Sequence, residues 1–169
     1  FFYLRRVVLS NFTNFNILYL NGNGYGALLS GDCQGTFFAN GVFSFPSTGF
    51  SSIPDTSGNA PNYVYLTNIG IDTPKISGVV TSGNEFAWKM VNVNVTNGTQ
   101  KNNTGPAVSF SANNYDIDFM NATITNNNQS GVVVNTGAKV RISNLQSTAN
   151  NGVAGSFYDL DLTSTTYDK

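Results

Sequence analysis

The feature that most constrains this chain is a motif that recurs along nearly all of it. In YDIDFMNATITNNN, Tyr115 to Asn128, the apolar residues Ile117, Phe119, Ala122 and Ile124 fall at every second position on either side of Asn121. Alternation with period two is the pattern of a strand with one buried face, and the switch of parity at Asn121 predicts a corner between two short strands. Related corners stand at Asn11 (VVLSNFTN), Asn40 (TFFANGVF), Asn68 (VYLTNIGI), Asn92 (WKMVNVNV) and Asn144 (VRISNLQS), at steps of 29, 28, 24, 29 and 23 residues. A looser copy, FYDLDLTS, places a further corner at Ser164, 20 residues on.

Aligning on the corner produces coherent columns. Two places before it stand Leu9, Phe38, Leu66, Met90, Phe119 and Ile142; four before it stand Val7, Thr36, Val64, Trp88, Ile117 and Val140. One place after it come Phe12, Gly41, Ile69, Val93, Ala122 and Leu145. Between corners a glycine heads a mostly apolar run, at Gly26, Gly78, Gly105, Gly131 and Gly152, with Gly49 a weaker member. Each repeat therefore holds three short strands: one into the corner, one out of it and one after the glycine. Such a unit cannot bury its inner face alone, and stacking copies at roughly 4.8 Å per rung closes the core. Like side chains then lie on like, so the asparagines Asn11, Asn40, Asn68, Asn92, Asn121 and Asn144 are predicted to form an inward ladder of side-chain amides. Trp88 falls in an inward column and is expected in the core.

Composition narrows the rest. The 169 residues are 10% charged with a net charge of −1, so no basic patch draws the chain to nucleic acid or anionic lipid, and no apolar run reaches the length of a membrane span. Histidine is absent and cysteine occurs once, at Cys33, which leaves no constellation for a metal and no internal disulfide; no cofactor is expected, and Cys33 is read as a small core residue. Chain breakers and small polar residues disfavour helix. The chain opens at Phe1 without an initiator Met, and FFYLRRVVL has no signal-peptide cleavage site, so residues 1–169 are read as a single domain within a longer chain.

The repeated corners, and the asparagine-rich stretch NNNQSGVVVNTGAKVRISN (Asn126 to Asn144), resemble the right-handed parallel β-helix of the pectin-lyase-like superfamily over nearly the whole chain. The resemblance is greatest to a phage or viral tailspike or fibre segment. It implies an all-β, right-handed parallel β-helix of six to seven coils. The rival fold is an antiparallel β-sandwich, since Asn-Gly pairs at Asn21, Asn23, Asn40, Asn97 and Asn151 could close hairpins. The NTD, DD, GHG and RIK signatures of the superfamily's polygalacturonases do not occur, and neither does a recognisable calcium and arginine setting of its pectate lyases.

Candidate sites lie on the outward positions. Asp116 and Asp118 share one face of a strand, and Asp159 and Asp161 repeat that spacing. Lys89, Asp118, Arg141 and Asp161 read as a column alternating in sign, which a cross-strand charge ladder explains, and which could also hold a sugar or, least favoured, supply a catalytic pair. Phe37, Tyr63 and Tyr65 share a lateral face by parity; exposed rings of this kind suit a subunit contact or the face of a sugar. Arg5 and Arg6 form a lone basic pair. Glycosylation sequons occur at Asn11, Asn94, Asn97, Asn102, Asn121 and Asn128; Asn97 and Asn102 are the most accessible, while Asn11 and Asn121 are expected to be buried. The functional expectation is a structural and receptor-binding segment of a viral or phage appendage. It would be homotrimeric, associated with other virion proteins, and engage host cell-surface polysaccharide from the virion surface or another extracellular setting. The alternatives are a secreted polysaccharide lyase or glycoside hydrolase, marked by reducing-end release, and a bacterial surface adhesin.

Overall fold

A computed structural model describes residues 2–18, 24–98, 103–110, 115–135, 139–148, 150 and 160–162. The strands in chain order begin with β1 (Phe2–Arg5), β2 (Val8–Leu18), β3 (Tyr25–Ser30), β4 (Gln34–Ser44) and β5 (Thr48–Ile53). They continue with β6 (Asn62–Asp72), β7 (Ser77–Val80), β8 (Phe86–Thr96), β9 (Val108–Phe110) and β10 (Tyr115–Met120). The last are β11 (Thr123–Thr125), β12 (Val132–Val134), β13 (Val140–Ser143), β14 (Gln146–Thr148) and β15 (Leu160–Leu162). One sheet runs β1-β3-β5-β7-β9-β12-β15; the other runs β2-β4-β6-β8-β10-β13, with β11 bridging β8 and β14. Every pairing is parallel and joins one repeat to the next. The chain is an all-β parallel β-solenoid of about five turns, not a sandwich. The six corners read from the sequence delimit five complete turns, and the corner expected at Ser164 lies outside the described residues. At roughly 4.8 Å per rung the stack rises about 24 Å.

Left-handed residues make the corners. Asn40, Asn68, Asn92, Asn121 and Asn144 all have φ between 51° and 55°. A second column of left-handed residues, Leu9, Gly35, Tyr63, Ala87 and Asp116, stands five places earlier. A third, Phe45, Thr73, Asn97 and Asn126, stands five places later. Each turn is thus built of straight segments joined at fixed bends, so β4 carries two segments either side of Asn40 and the β5 position supplies the third side.

The inward columns are as the repeat predicts from the second turn onward. Phe38, Leu66, Met90 and Phe119 stack in register and are at most 1% exposed, with Ile142 above them. Trp88 is buried, and its indole N–H donates to the carbonyl of Pro61 at 2.7 Å. The first turn departs from the predicted alignment. Its register pairs Phe12 with Phe38 and Phe15 with Gly41, which sets Asn14 (φ 55°), not Asn11, opposite Asn40. Leu9, Val7 and Phe12 accordingly shift out of the columns assigned to them. NFTN offers two asparagines three residues apart, each flanked by apolar residues at suitable positions; backbone geometry chooses the second.

Two further differences concern the asparagines and glycines. The corner asparagines point outward, not inward: Asn40, Asn68, Asn121 and Asn144 are exposed and Asn92 half-buried. The amides do bond from turn to turn, Asn68 to Asn40 at 2.9 Å, Asn92 to Asn68 at 2.8 Å and Asn144 to Asn121 at 3.0 Å. The buried amide network lies elsewhere. Asn127 donates from its backbone and its side chain to Asn150 Oδ1, and Asn150 donates to the carbonyl of Ile124. Asn103, also buried, accepts from the backbone of Asn128. The glycine column is Gly26, Gly49, Gly78, Ala107 and Gly131, so Ala107 takes the place assigned to Gly105. A Cβ on Gly49 would lie 2.4 Å from Ile71 Cγ2, and one on Gly78 2.4 Å from Val95 Cγ1. The sheets approach too closely there for a side chain.

Candidate functional site

The outward side of the segment leading into each corner carries two columns of side chains, two residues apart. Register places Asn11, Phe37, Tyr65, Lys89, Asp118 and Arg141 in one column. Leu9, Gly35, Tyr63, Ala87 and Asp116 form the other. All six candidate binding residues, Phe37, Tyr63, Tyr65, Lys89, Asp118 and Arg141, therefore lie on one face of the rod.

The lower part of this face is apolar. Phe37 and Tyr65 stack with ring centroids 4.6 Å apart and planes within 4° of parallel, as neighbouring rungs of a parallel sheet impose. Tyr63 packs edge-on to Phe86 at 5.4 Å. Phe37 is 41% exposed, Tyr63 46% and Leu9 81%. Between Leu9 and Tyr63 the column holds only Gly35, and that gap is the floor of a concavity of about 350 Å³ lined by Val8, Leu9, Gln34, Gly35, Phe37, Tyr63 and Tyr65. A Cβ on Gly35 would lie 2.9 Å from Leu9 Cδ2, and its φ of 61° is one that other residues adopt only with strain. Gly35 keeps the concavity open. Sequence reasoning found the aromatic residues but missed Leu9 and Gly35, because Leu9 had been assigned to the interior. The volume is at the small end of the range for ligand pockets.

The upper part is charged. Arg141 Nη2 meets Asp116 Oδ1 at 2.6 Å, and its Nε binds Asp118 Oδ1. Hydrogen bonds donated to Asp118 first and to Asp116 second raise the pKa of the guanidinium above its ordinary value. All three side chains are at least 30% exposed, so the cluster is worth at most about 1 kcal/mol per pair. Of the alternating column expected through Lys89, Asp118, Arg141 and Asp161, the first three stand in register, and among the described residues its ion pairs are those of Arg141. Asp161 belongs to β15, which pairs with β12 in the other sheet, so it is not in this column. Asp159 lies outside the described residues. One arginine occupying an oxygen of both Asp116 and Asp118 makes a structural clamp, not the pair of separately free carboxyls that glycoside hydrolysis uses.

Elsewhere, Arg6 does have a partner: it meets Asp55 Oδ2 at 3.1 Å. Asn59, through side chain and backbone, with help from Arg6 and the Ser57 backbone, pulls the Asp55 carboxyl down to about 2. Cys33 is buried against the carbonyls of Leu4 and Ser30. The sequon residues Asn11 and Asn121 are exposed, not buried; Asn97 donates to Asp72 at 2.8 Å, and Asn102 lies outside the described residues. Among the described residues no group of three or more His, Cys, Asp or Glu is placed to hold a metal ion.

No family model matches this chain, and no curated protein sequence matches it. Two solved structures align over 92% of it, both trypsin-treated variants of QnrB1, a plasmid-mediated fluoroquinolone resistance protein. They are 11% and 12% identical, the alignments cover 90% and 91% of their chains, and the TM-scores are 0.21 and 0.17. Likeness at that level carries no argument about this protein.

Proposed function

We propose that the chain is a structural, glycan-binding rod segment of a viral or phage appendage, displayed on the virion surface or in another extracellular setting. The observation that supports this reading is the exposed Phe37 stacked on the half-buried Tyr65 beside the concavity floored by Gly35. The two rings face each other and, with Tyr63, present an apolar aromatic wall to the notch, and an apolar notch suits a small ligand such as a sugar ring better than a flat subunit contact does. The solenoid is proposed to be right-handed and of the pectin-lyase-like kind: crossovers between parallel strands of one sheet are right-handed in about 98% of cases. Three segments per turn with asparagine at a corner fit that kinship. The rod is further proposed to assemble as a homotrimer with other virion proteins beside it, a closed symmetry that suits a rod.

Binding of the purified chain to an immobilised panel of cell-surface polysaccharides tests the glycan reading. Replacing Phe37 and Tyr65 together by alanine is expected to weaken binding by roughly tenfold or more, since aromatic contacts contribute about 0.5–1.5 kcal/mol each. A panel on which nothing binds, or a double variant that binds as well as the parent, defeats it.

A further inference from the structure

We infer that the notch at Gly35 takes the acetamido group of an N-acetylhexosamine, the amide N–H donating to the side-chain oxygen of Gln34 and the methyl lying between Leu9 and Tyr63. The inference rests on the reading that this face binds sugar, and it names the class of sugar. The notch is one residue wide. Gly35 has no side chain, Leu9 stands in its column one turn below and Tyr63 one turn above. Phe37, two residues on, closes one flank; Gln34, with Val8 beneath it, closes the other. No charged side chain lines it, so a carboxylate, sulfate or ammonium placed there would lose water without gaining a counter-charge. The part of the ligand that enters is neutral.

The amide of Gln34 cannot be turned round. Its Nε2 donates to Asp32 Oδ1 at 2.7 Å, and a carboxylate only accepts, so the nitrogen is committed to Asp32 and Oε1 is left as an acceptor. Among the described residues nothing donates to that oxygen. Apart from the hydroxyls of Tyr63 and Tyr65, the rest of the side-chain lining is hydrocarbon and ring. A hexose hydroxyl entering the notch can donate to Gln34, but its own oxygen then lies against walls that offer no donor. An acetamido group fits the same lining fully. In a trans amide the N–H and the methyl lie on one side and the carbonyl on the other. With the N–H on Gln34, the methyl covers the apolar wall and the carbonyl stays in solvent.

The test uses the whole chain with two matched pairs of sugars, chitotetraose beside cellotetraose and the methyl glycoside of N-acetylgalactosamine beside that of galactose. Each pair differs only in an acetamido group standing in place of a hydroxyl. Affinities are measured by calorimetry or by chemical-shift titration for the parent, Gln34→Met and Leu9→Ser. The parent is expected to prefer the acetylated member of at least one pair by about tenfold, the scale of one covered methyl and one hydrogen bond, with no dependence on salt. Gln34→Met, which keeps the stem and removes the acceptor, should lower affinity for the acetylated member by about fivefold and leave its partner unchanged. Leu9→Ser, at a side chain 81% exposed and so harmless to folding, should likewise weaken the acetylated member alone. Equal affinities within both pairs, or a preference that both variants leave intact, overturns the acetamido assignment and leaves glycan binding standing. Variants that weaken both members of a pair alike overturn it too. Binding of none of the four sugars overturns the assignment, and a polysaccharide panel on which nothing binds overturns the glycan reading with it.

Discussion

Each corner needs a residue that tolerates φ near +54°, and asparagine is the side-chain-bearing residue that does so at least cost. Its exposed amide then adds a bond to the turn below. The two contributions can be separated at Asn68, which bonds to both Asn40 and Asn92. Asn68→Ala loses both and is expected to destabilise by about 1–2 kcal/mol; Asn68→Gly keeps the backbone freedom and should lose about half as much. Urea denaturation compares them. Equal losses would mean that the amide ladder, not the bend, selects asparagine. The same logic explains the misplacement of the first corner: Asn11 and Asn14 look alike to a period-two pattern, but only Asn14 has the left-handed backbone.

At the scale of the element, the glycine column marks where β3, β5 and β7 come against the inner residues Phe43, Ile71 and Val95 of the facing sheet. Gly49 is the sharpest case, with Ile71 on one side and the Gly78 carbonyl oxygen 2.8 Å from where a Cβ would stand. Gly49→Ala is expected to cost about 1–3 kcal/mol through overpacking, read as a lower midpoint of thermal unfolding. Ala107 occupies the equivalent place two rungs above Gly49, and Gly58, whose added Cβ would meet no heavy atom, is the control: Gly58→Ala at φ 82° should register backbone strain alone. A Gly49→Ala protein as stable as the parent would remove the packing account of the column.

At the scale of the molecule, the apolar lateral strip is the surface on which the proposed trimer would close, and size exclusion with light scattering checks it. A mass near three chains at high concentration is expected; a clean monomer removes the trimer and leaves the fold untouched. How much of all this was legible beforehand follows from the physics of stacking. The sequence by itself favoured the solenoid over the sandwich, because a period-two pattern repeated at 23–29 residues buries every copy of Leu66, Met90 and Phe119 most simply by stacking, and the parallel register of the strands settled it. It also determined that Phe37, Tyr63 and Tyr65 share a face, since parity along a strand is local. Only the tertiary structure decided that the corner asparagines face solvent, that Asn127 and Asn150 form the buried network, that Asp161 leaves the charge column, and that Gly35 opens a notch beside Leu9. Those outcomes depend on backbone handedness at a few residues and on register between distant strands, and neither is written in the alternation of apolar and polar side chains.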